Sequence, residues 1–190
     1  RGARLGVLIR SAEALERMER VDTLVVDKTG TLTLGHPAVI AIIAAAGQDE
    51  TALLRHAASV ERASEHPLAQ AIVKAAEDRA IPLAPVSDFD SPTGRGALGT
   101  VEGARVVLGN ARFLADHDID VSSLATEADQ LRLDGATAIF VGIDGKAAGV
   151  LAIADPIKPT TSEALAALRE EGIRVVMLTG DNLTTAKAVA

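Results

Sequence analysis

The chain has 190 residues, 48% of them hydrophobic and 2% aromatic, and a formal charge of -7. That acidity, with no cluster of Lys and Arg, excludes a nucleic-acid backbone as partner, because phosphate binding is driven by clustered cations that release counterions. No Cys is present, so disulfide frameworks, thiolate metal sites and Cys nucleophiles are excluded together.

The length suffices for one ordinary core or two small ones. Arg1 to Arg10 carries basic residues without the apolar core and cleavage site of a signal peptide, and it lacks an initiator Met, so it reads as a piece of something longer. Ser11 to Arg20 (SAEALERMER) predicts a short helix capped by Ser11, with Ala12, Leu15 and Met18 at helical spacing. Thr23 to Val26 (TLVV) then predicts a buried parallel strand whose carboxyl end, at Asp27, carries a polar loop. The longest apolar stretches, such as Ala38 to Ala46, fall short of the ~20 residues of a membrane-spanning helix. Thr51 to Ser59 and Leu68 to Arg79 predict helices. Gly99 to Leu108 and Ala138 to Leu151 predict short strands between Gly and Pro turns. The segment Ser162 to Glu171 predicts a helix stopped by Gly172, and Arg174 to Leu178 (RVVML) a second apolar strand. Two strands of one kind thus bracket a middle of another kind, which predicts an inserted α+β domain bounded near Gly35 and Asp155.

Each bracketing strand delivers a polar loop, where ligand sites of open α/β sheets lie. After the first comes Asp27-Lys28-Thr29-Gly30-Thr31-Leu32-Thr33: a carboxylate nucleophile, backbone N–H groups at a Gly turn, and three hydroxyl side chains suited to a phosphoryl group. After the second comes Thr179-Gly180-Asp181. The middle offers Glu61, Ser64-Glu65-His66-Pro67, Pro92-Thr93-Gly94-Arg95-Gly96 and Gly109-Asn110. Taken singly, each has a plain structural reading as well: surface turns for the two loops, a helix-entry His before Pro67, a hairpin for the Gly pair, a turn at Gly109-Asn110, and a Pro-enforced extended turn at Asp155-Pro156-Ile157-Lys158.

The whole segment from Asp27 to Thr33 resembles, at each position, the phosphorylation signature of P-type ATPases. With the middle motifs in this order, the chain resembles the heavy-metal branch of that family over essentially its full length. The resemblance implies an α/β haloacid-dehalogenase-like (Rossmann-like) phosphorylation domain, incomplete here, formed by residues 1–34 and 155–190. Residues 35–154 would be an inserted α+β nucleotide-binding domain, an antiparallel sheet flanked by helices. It implies ATP and Mg²⁺ as cofactors and Asp27 as the residue phosphorylated by ATP. Lys28, Thr29, Thr179, Gly180 and Asp181 would complete the catalytic set, with Mg²⁺ at Asp27 and Thr29. Glu61, His66, Gly94, Gly96, Gly109 and Asn110 would form the ATP pocket, and Asp155 to Lys158 the hinge.

Implied partners are ATP and ADP, a transported metal ion bound by membrane segments absent here, and the actuator and membrane domains of the same longer chain. The implied location is the cytoplasmic side of a bacterial-type plasma membrane. Ser64-Glu65-His66-Pro67, with Gly6-Val7-Leu8-Ile9 and Ala12-Glu13-Ala14-Leu15-Glu16, is more similar to copper-transporting members than to zinc or cadmium ones. The later Lys and the Gly-Asp-Gly-x-Asn-Asp segment of the family are absent, and a half-formed parallel sheet is expected to be poorly stabilised. Two alternatives stand beside this reading: a haloacid-dehalogenase-like phosphatase, and a module that only binds nucleotide. Thr29 opposes the phosphatase, since such enzymes carry a second Asp there as acid and base, a task Thr cannot perform.

Overall fold

The computed structural model of the chain describes residues 19–179 together with Ser11, Glu13, Glu16 and Arg17. Much of the helix expected over Ser11 to Arg20, and both Gly180 and Asp181, lie outside the described residues. In chain order the elements are β1 (Thr23–Asp27), β2 (Ala38–Ala44), α1 (Glu50–Glu61), α2 (Pro67–Asp78), β3 (Val86–Asp90), β4 (Gly96–Val101), β5 (Ala104–Gly109), α3 (Ala111–Ala115), α4 (Ala125–Leu133), β6 (Thr137–Ile143), β7 (Lys146–Ala154), α5 (Thr161–Glu170) and β8 (Arg174–Leu178). Among the described residues, one unit ends at Leu34 and resumes at Ile157, and a second unit runs Gly35–Pro156.

In the first unit, β1 and β8 pair in parallel, with Thr23 opposite Arg174 and Asp27 opposite Leu178. A parallel pair needs a long crossover, and here the crossover contains the whole second unit as well as α5. The strands are not buried as their apolar runs predict: Val25 is 61% and Leu178 62% exposed. Burial of both faces of a parallel sheet requires helices on both faces. The described part of this unit supplies one helix, α5, for two strands.

The second unit is a six-stranded antiparallel sheet in the order β2-β7-β6-β5-β4-β3. Alternation along its strands sends residues to opposite faces, which makes two cores. Ala97, Val106 and Leu108 pack beneath Leu53, Leu54 and Ala57 of α1 and Ile72 and Ala76 of α2. Leu98 and Val107 face Phe113 and Leu114 of α3 and Ala128 of α4. Asp49 caps α1 by accepting from the Ala52 N–H at 2.8 Å. Arg55 of α1 fastens that helix to the β4–β5 turn and to the segment before β3. Its guanidinium makes a bidentate pair with Glu102, both bonds 2.6 Å, and also donates to the Pro82 carbonyl at 2.9 Å.

Candidate functional site

The first unit presents Asp27, an exposed carboxylate, at the last position of β1. Because Asp27 lies opposite Leu178 in the parallel register, Thr179 leaves the neighbouring strand at the same end of the sheet. The loop that follows is shaped by its own hydrogen bonds. Thr29 (φ -75°, ψ 122°) and Gly30 (φ 76°, ψ -12°) have the angles of the central residues of a type II turn, whose second central position demands a positive φ and so favours Gly. Thr33 closes the loop, its N–H and its hydroxyl each donating to the Lys28 carbonyl at 3.1 Å, while its Oγ1 accepts from the Gly30 N–H at 3.2 Å.

Thr33 is therefore not a hydroxyl offered to a ligand, as expected from sequence. It is fully buried and builds the loop. The Gly30 N–H is likewise engaged within the loop. The returning chain braces it from the other side: Lys158 Nζ donates to the Gly30 carbonyl at 2.6 Å, and Thr161 Oγ1 donates to the Leu32 carbonyl at 2.7 Å. Neither Lys158 nor Thr161 is singled out as a site residue by sequence. Both act by holding Asp27's loop.

The second unit distributes the remaining expected residues in two groups. One lies at the junction of α1 and α2. Glu61 ends α1 and is buried, 8% exposed. Desolvation by that burial raises its pKa from 4.5 to about 7, against the opposing hydrogen bond from the Ser64 side chain. His66 is exposed and caps α2, its Nδ1 accepting from the Leu68 N–H at 3.2 Å, with Pro67 at the first helical position. An accepting Nδ1 carries no proton, so in the neutral ring Nε2 is the donor.

The helix-entry reading of His66 is thus correct as far as it goes, and it leaves Nε2–H available. His66→Asn, which keeps a strong N-cap, is expected to retain stability. His66→Gln loses up to about 1 kcal/mol as the cap is removed. Thermal melts of the two variants check this.

The other group is at one end of the β4–β5 hairpin. Gly96 pairs with Gly109 in the antiparallel register. A Cβ at Gly96 would lie 2.0 Å from the Leu108 carbonyl oxygen and 2.7 Å from Phe113 Cδ1, and one at Gly109 would lie 2.5 Å from the Arg95 carbonyl oxygen and 2.7 Å from the same ring atom. Asn110 is the N-cap of α3, its Oδ1 accepting from the Phe113 N–H at 2.9 Å. Gly94 turns the chain into β4 with φ 72°.

A groove of about 620 Å³ in this unit takes in Glu61 and Ser64, the α2 face at Gln70 and Lys74, and the segment from Gly35 to Pro37. It takes in none of Gly94, Gly96, Gly109, Asn110 or His66. Sequence reasoning missed its second wall. There the Gly35 and His36 N–H groups both donate to Asp155 Oδ1, at 2.9 and 3.1 Å.

Glu61 makes the unit's stability depend on pH. Its folded-state pKa is raised, so the folded state binds the proton more tightly than the unfolded chain. The contribution is fully present below pH 4.5 and is lost as pH rises through about 7. The unfolding free energy is expected to fall across that window by up to about 3 kcal/mol. Denaturant melts at pH 5 and pH 8 measure it, and Glu61→Gln should flatten the dependence.

These features have counterparts in known proteins. The chain belongs to the haloacid dehalogenase-like hydrolase family, whose profile matches residues 21–190. Within it, the chain is similar over its full length to P-type ATPases. It is 54% identical to a silver exporting P-type ATPase of Salmonella typhimurium and 52% identical to a copper-transporting P-type ATPase of Rhizobium leguminosarum bv. viciae, covering 23% of each. It thus spans about a quarter of the length of these curated relatives. Among solved structures, it is similar to a zinc-transporting PIB-type ATPase in an E2.Pi state, with TM-score 0.87, 35% identity, and coverage of 99% of this chain and 30% of that one. The N-domain of a copper-transporting P-type ATPase matches 63% of this chain over 99% of its own length, with 30% identity and TM-score 0.54.

Proposed function

We propose that the chain is the ATP-binding and aspartyl-phosphorylation region of a copper-exporting P-type ATPase. The unit from Gly35 to Pro156 is then the nucleotide-binding domain, and the flanking unit belongs to the phosphorylation domain. The observation that carries this is the placement of Asp27: a carboxylate at the end of a parallel strand, on a loop tied down by Thr33, Lys158 and Thr161, with Thr179 leaving the next strand at the same end. Relatives at 52% and 54% identity, named for copper and silver, favour copper or silver as the cargo.

In the reaction, an Asp27 carboxylate oxygen attacks the γ-phosphorus of ATP. The new O–P bond forms as the bond to the β-phosphate bridging oxygen breaks, and ADP leaves with that electron pair. Asp27 and Thr29 provide oxygen donors, the class that Mg²⁺ accepts, and Mg²⁺ typically takes only one or two carboxylates beside substrate phosphates. Bound there, Mg²⁺ would neutralise phosphate charge. The Thr33-centred bonds keep the nucleophile's loop from rearranging, so positioning is supplied before substrate arrives. Thr29 offers no carboxylate to activate water, which suits an acyl phosphate that persists through a conformational change.

No helix among the described residues is long and apolar enough to cross a membrane. The reading assigns the chain to the cytoplasmic side of a bacterial plasma membrane, working with actuator and membrane domains of the same protein. It assigns Glu61, His66, Gly94, Gly96, Gly109 and Asn110 to the nucleotide. Calorimetric titration of the 190-residue chain with ATP is expected to show 1:1 binding. His66→Asn is expected to weaken that binding at least about fivefold while the fold is kept, since Nε2–H is lost and the cap is not. Unchanged affinity in that variant would remove His66 from the site. Retained phosphoester hydrolysis by the chain would favour the phosphatase reading instead.

A further inference from the structure

Glu61 is the one charged residue that is buried among the described residues, and it takes part in no ion pair there. It closes α1 and lines the groove of about 620 Å³. Of the groove's other charged groups, Lys74 of α2 is paired with Asp78, Glu77 is itself an acid, and Arg62 and His36 are exposed. Glu65 and His66, in the turn to α2, are exposed as well. Of the strands beneath α1, β2 and β4 contain no charged residue, and Asp88 and Asp90 of β3 and Arg105 of β5 are exposed. A carboxylate taken out of water without a paired cation favours its neutral form. Burial accordingly pushes the Glu61 carboxyl up from 4.5 to about 7.

A neutral carboxyl carries one O–H donor beside a carbonyl acceptor, whereas a carboxylate only accepts. Adenine offers the complementary pair, an N6 amino donor beside a ring-nitrogen acceptor. An ionised carboxyl keeps the N6 bond alone and sets its second oxygen against a ring-nitrogen lone pair. Guanine presents N1–H and N2–H side by side, the pattern that a carboxylate accepts.

We propose that Glu61 recognises adenine as a neutral carboxyl, its O–H donating to a ring nitrogen and its carbonyl oxygen accepting from the N6 amino group, so that a proton on Glu61 sets the base preference of the site. This rests on the ATP-site reading above. At alkaline pH, binding of ATP must first draw a proton onto Glu61, so the affinity falls as pH rises.

The test measures ATP and GTP affinities of the 190-residue chain at pH 6 and pH 8.5, for wild type and Glu61→Gln. The two triphosphates titrate alike, so the ratio of the affinities isolates the base. In wild type the preference for ATP is expected to drop about tenfold between the two pH values. Glutamine keeps a donor beside an acceptor at every pH. Glu61→Gln is therefore expected to hold its preference constant and to bind ATP about tenfold more tightly than wild type at pH 8.5. A wild-type preference that does not move with pH overturns the proposal, whatever the variant does. A pH dependence that persists in Glu61→Gln overturns it too, since His36 and His66 titrate in the same window. So does weaker ATP binding by Glu61→Gln than by wild type at pH 8.5, which would make the carboxylate the reading form. A wild-type chain that binds neither nucleotide at either pH refutes the ATP-site reading itself, and the role of Glu61 falls with it.

Discussion

Asp27→Asn, in the pump to which the proposed function assigns this chain, is expected to abolish formation of a hydroxylamine-sensitive phosphoenzyme from γ-labelled ATP, while nucleotide affinity stays within about twofold of wild type. The amide keeps the shape of the strand end but loses the nucleophilic charge. The loop after it depends on Thr33, Lys158 and Thr161 and not on the Asp27 side chain, so the variant's loop should survive intact. The pocket residues assigned to ATP lie in another unit of the chain, which separates the two readouts. A phosphoenzyme retained in Asp27→Asn would place the nucleophile elsewhere.

Gly96→Ala should destabilise the unit Gly35–Pro156 by about 3 kcal/mol or more. The added methyl would sit 2.0 Å from a backbone oxygen, Leu108 O, and 2.9 Å from Gly109 Cα. Neither can move without breaking the β4–β5 ladder. The third obstacle, the Phe113 ring, is 3% exposed and packed edge-on against His117 with centroids 4.8 Å apart. Denaturant melts followed by circular dichroism measure the loss. This result would also show that strand packing alone demands glycine here. A Gly96→Ala chain with wild-type stability and lost ATP binding would instead mean that the glycine serves ligand approach only.

Where side-chain pattern and backbone state agree, the elements were legible. The apolar run before Asp27 and the one before Thr179 do form a parallel pair; the helix expected over Thr51 to Ser59 starts one residue earlier and ends two later, and the one expected over Leu68 to Arg79 starts and ends one residue earlier. The run Ala38 to Ala44 gave no strand signal, since AVIAIIA is apolar at every position and lacks the alternation of a half-buried edge. β3 was hidden by its Asp residues, by Asp88 at φ 52° and by a register shift between Ser87 and Asp90. α4 buries only Ala128, so its apolar stripe is too thin to read.

The burial of β1 departs from its expectation because an apolar run reports what a strand can bury, and not what covers it. At the site, residue types pointed to Asp27, Glu61 and His66. The tasks of Thr33, Lys158 and Thr161 depend on hydrogen bonds to backbone groups, which leave little trace in side-chain pattern. The paired glycines and Asn110 were legible as a cluster, but their packing and capping duties appear only in three dimensions.

The central claim is that this chain carries an ATP site built from the α1–α2 junction and the β4–β5 hairpin end. Amide chemical-shift mapping of the 190-residue chain during ATP titration tests it most directly. Saturating shifts centred on Glu61, Ser64, His66, Gly94, Gly96, Gly109 and Asn110, with one dissociation constant common to all, are the predicted result. Shifts confined to the groove between α2 and Gly35 to Pro37 that spare His66 and the hairpin end, or no saturable shifts at millimolar ATP, would contradict it.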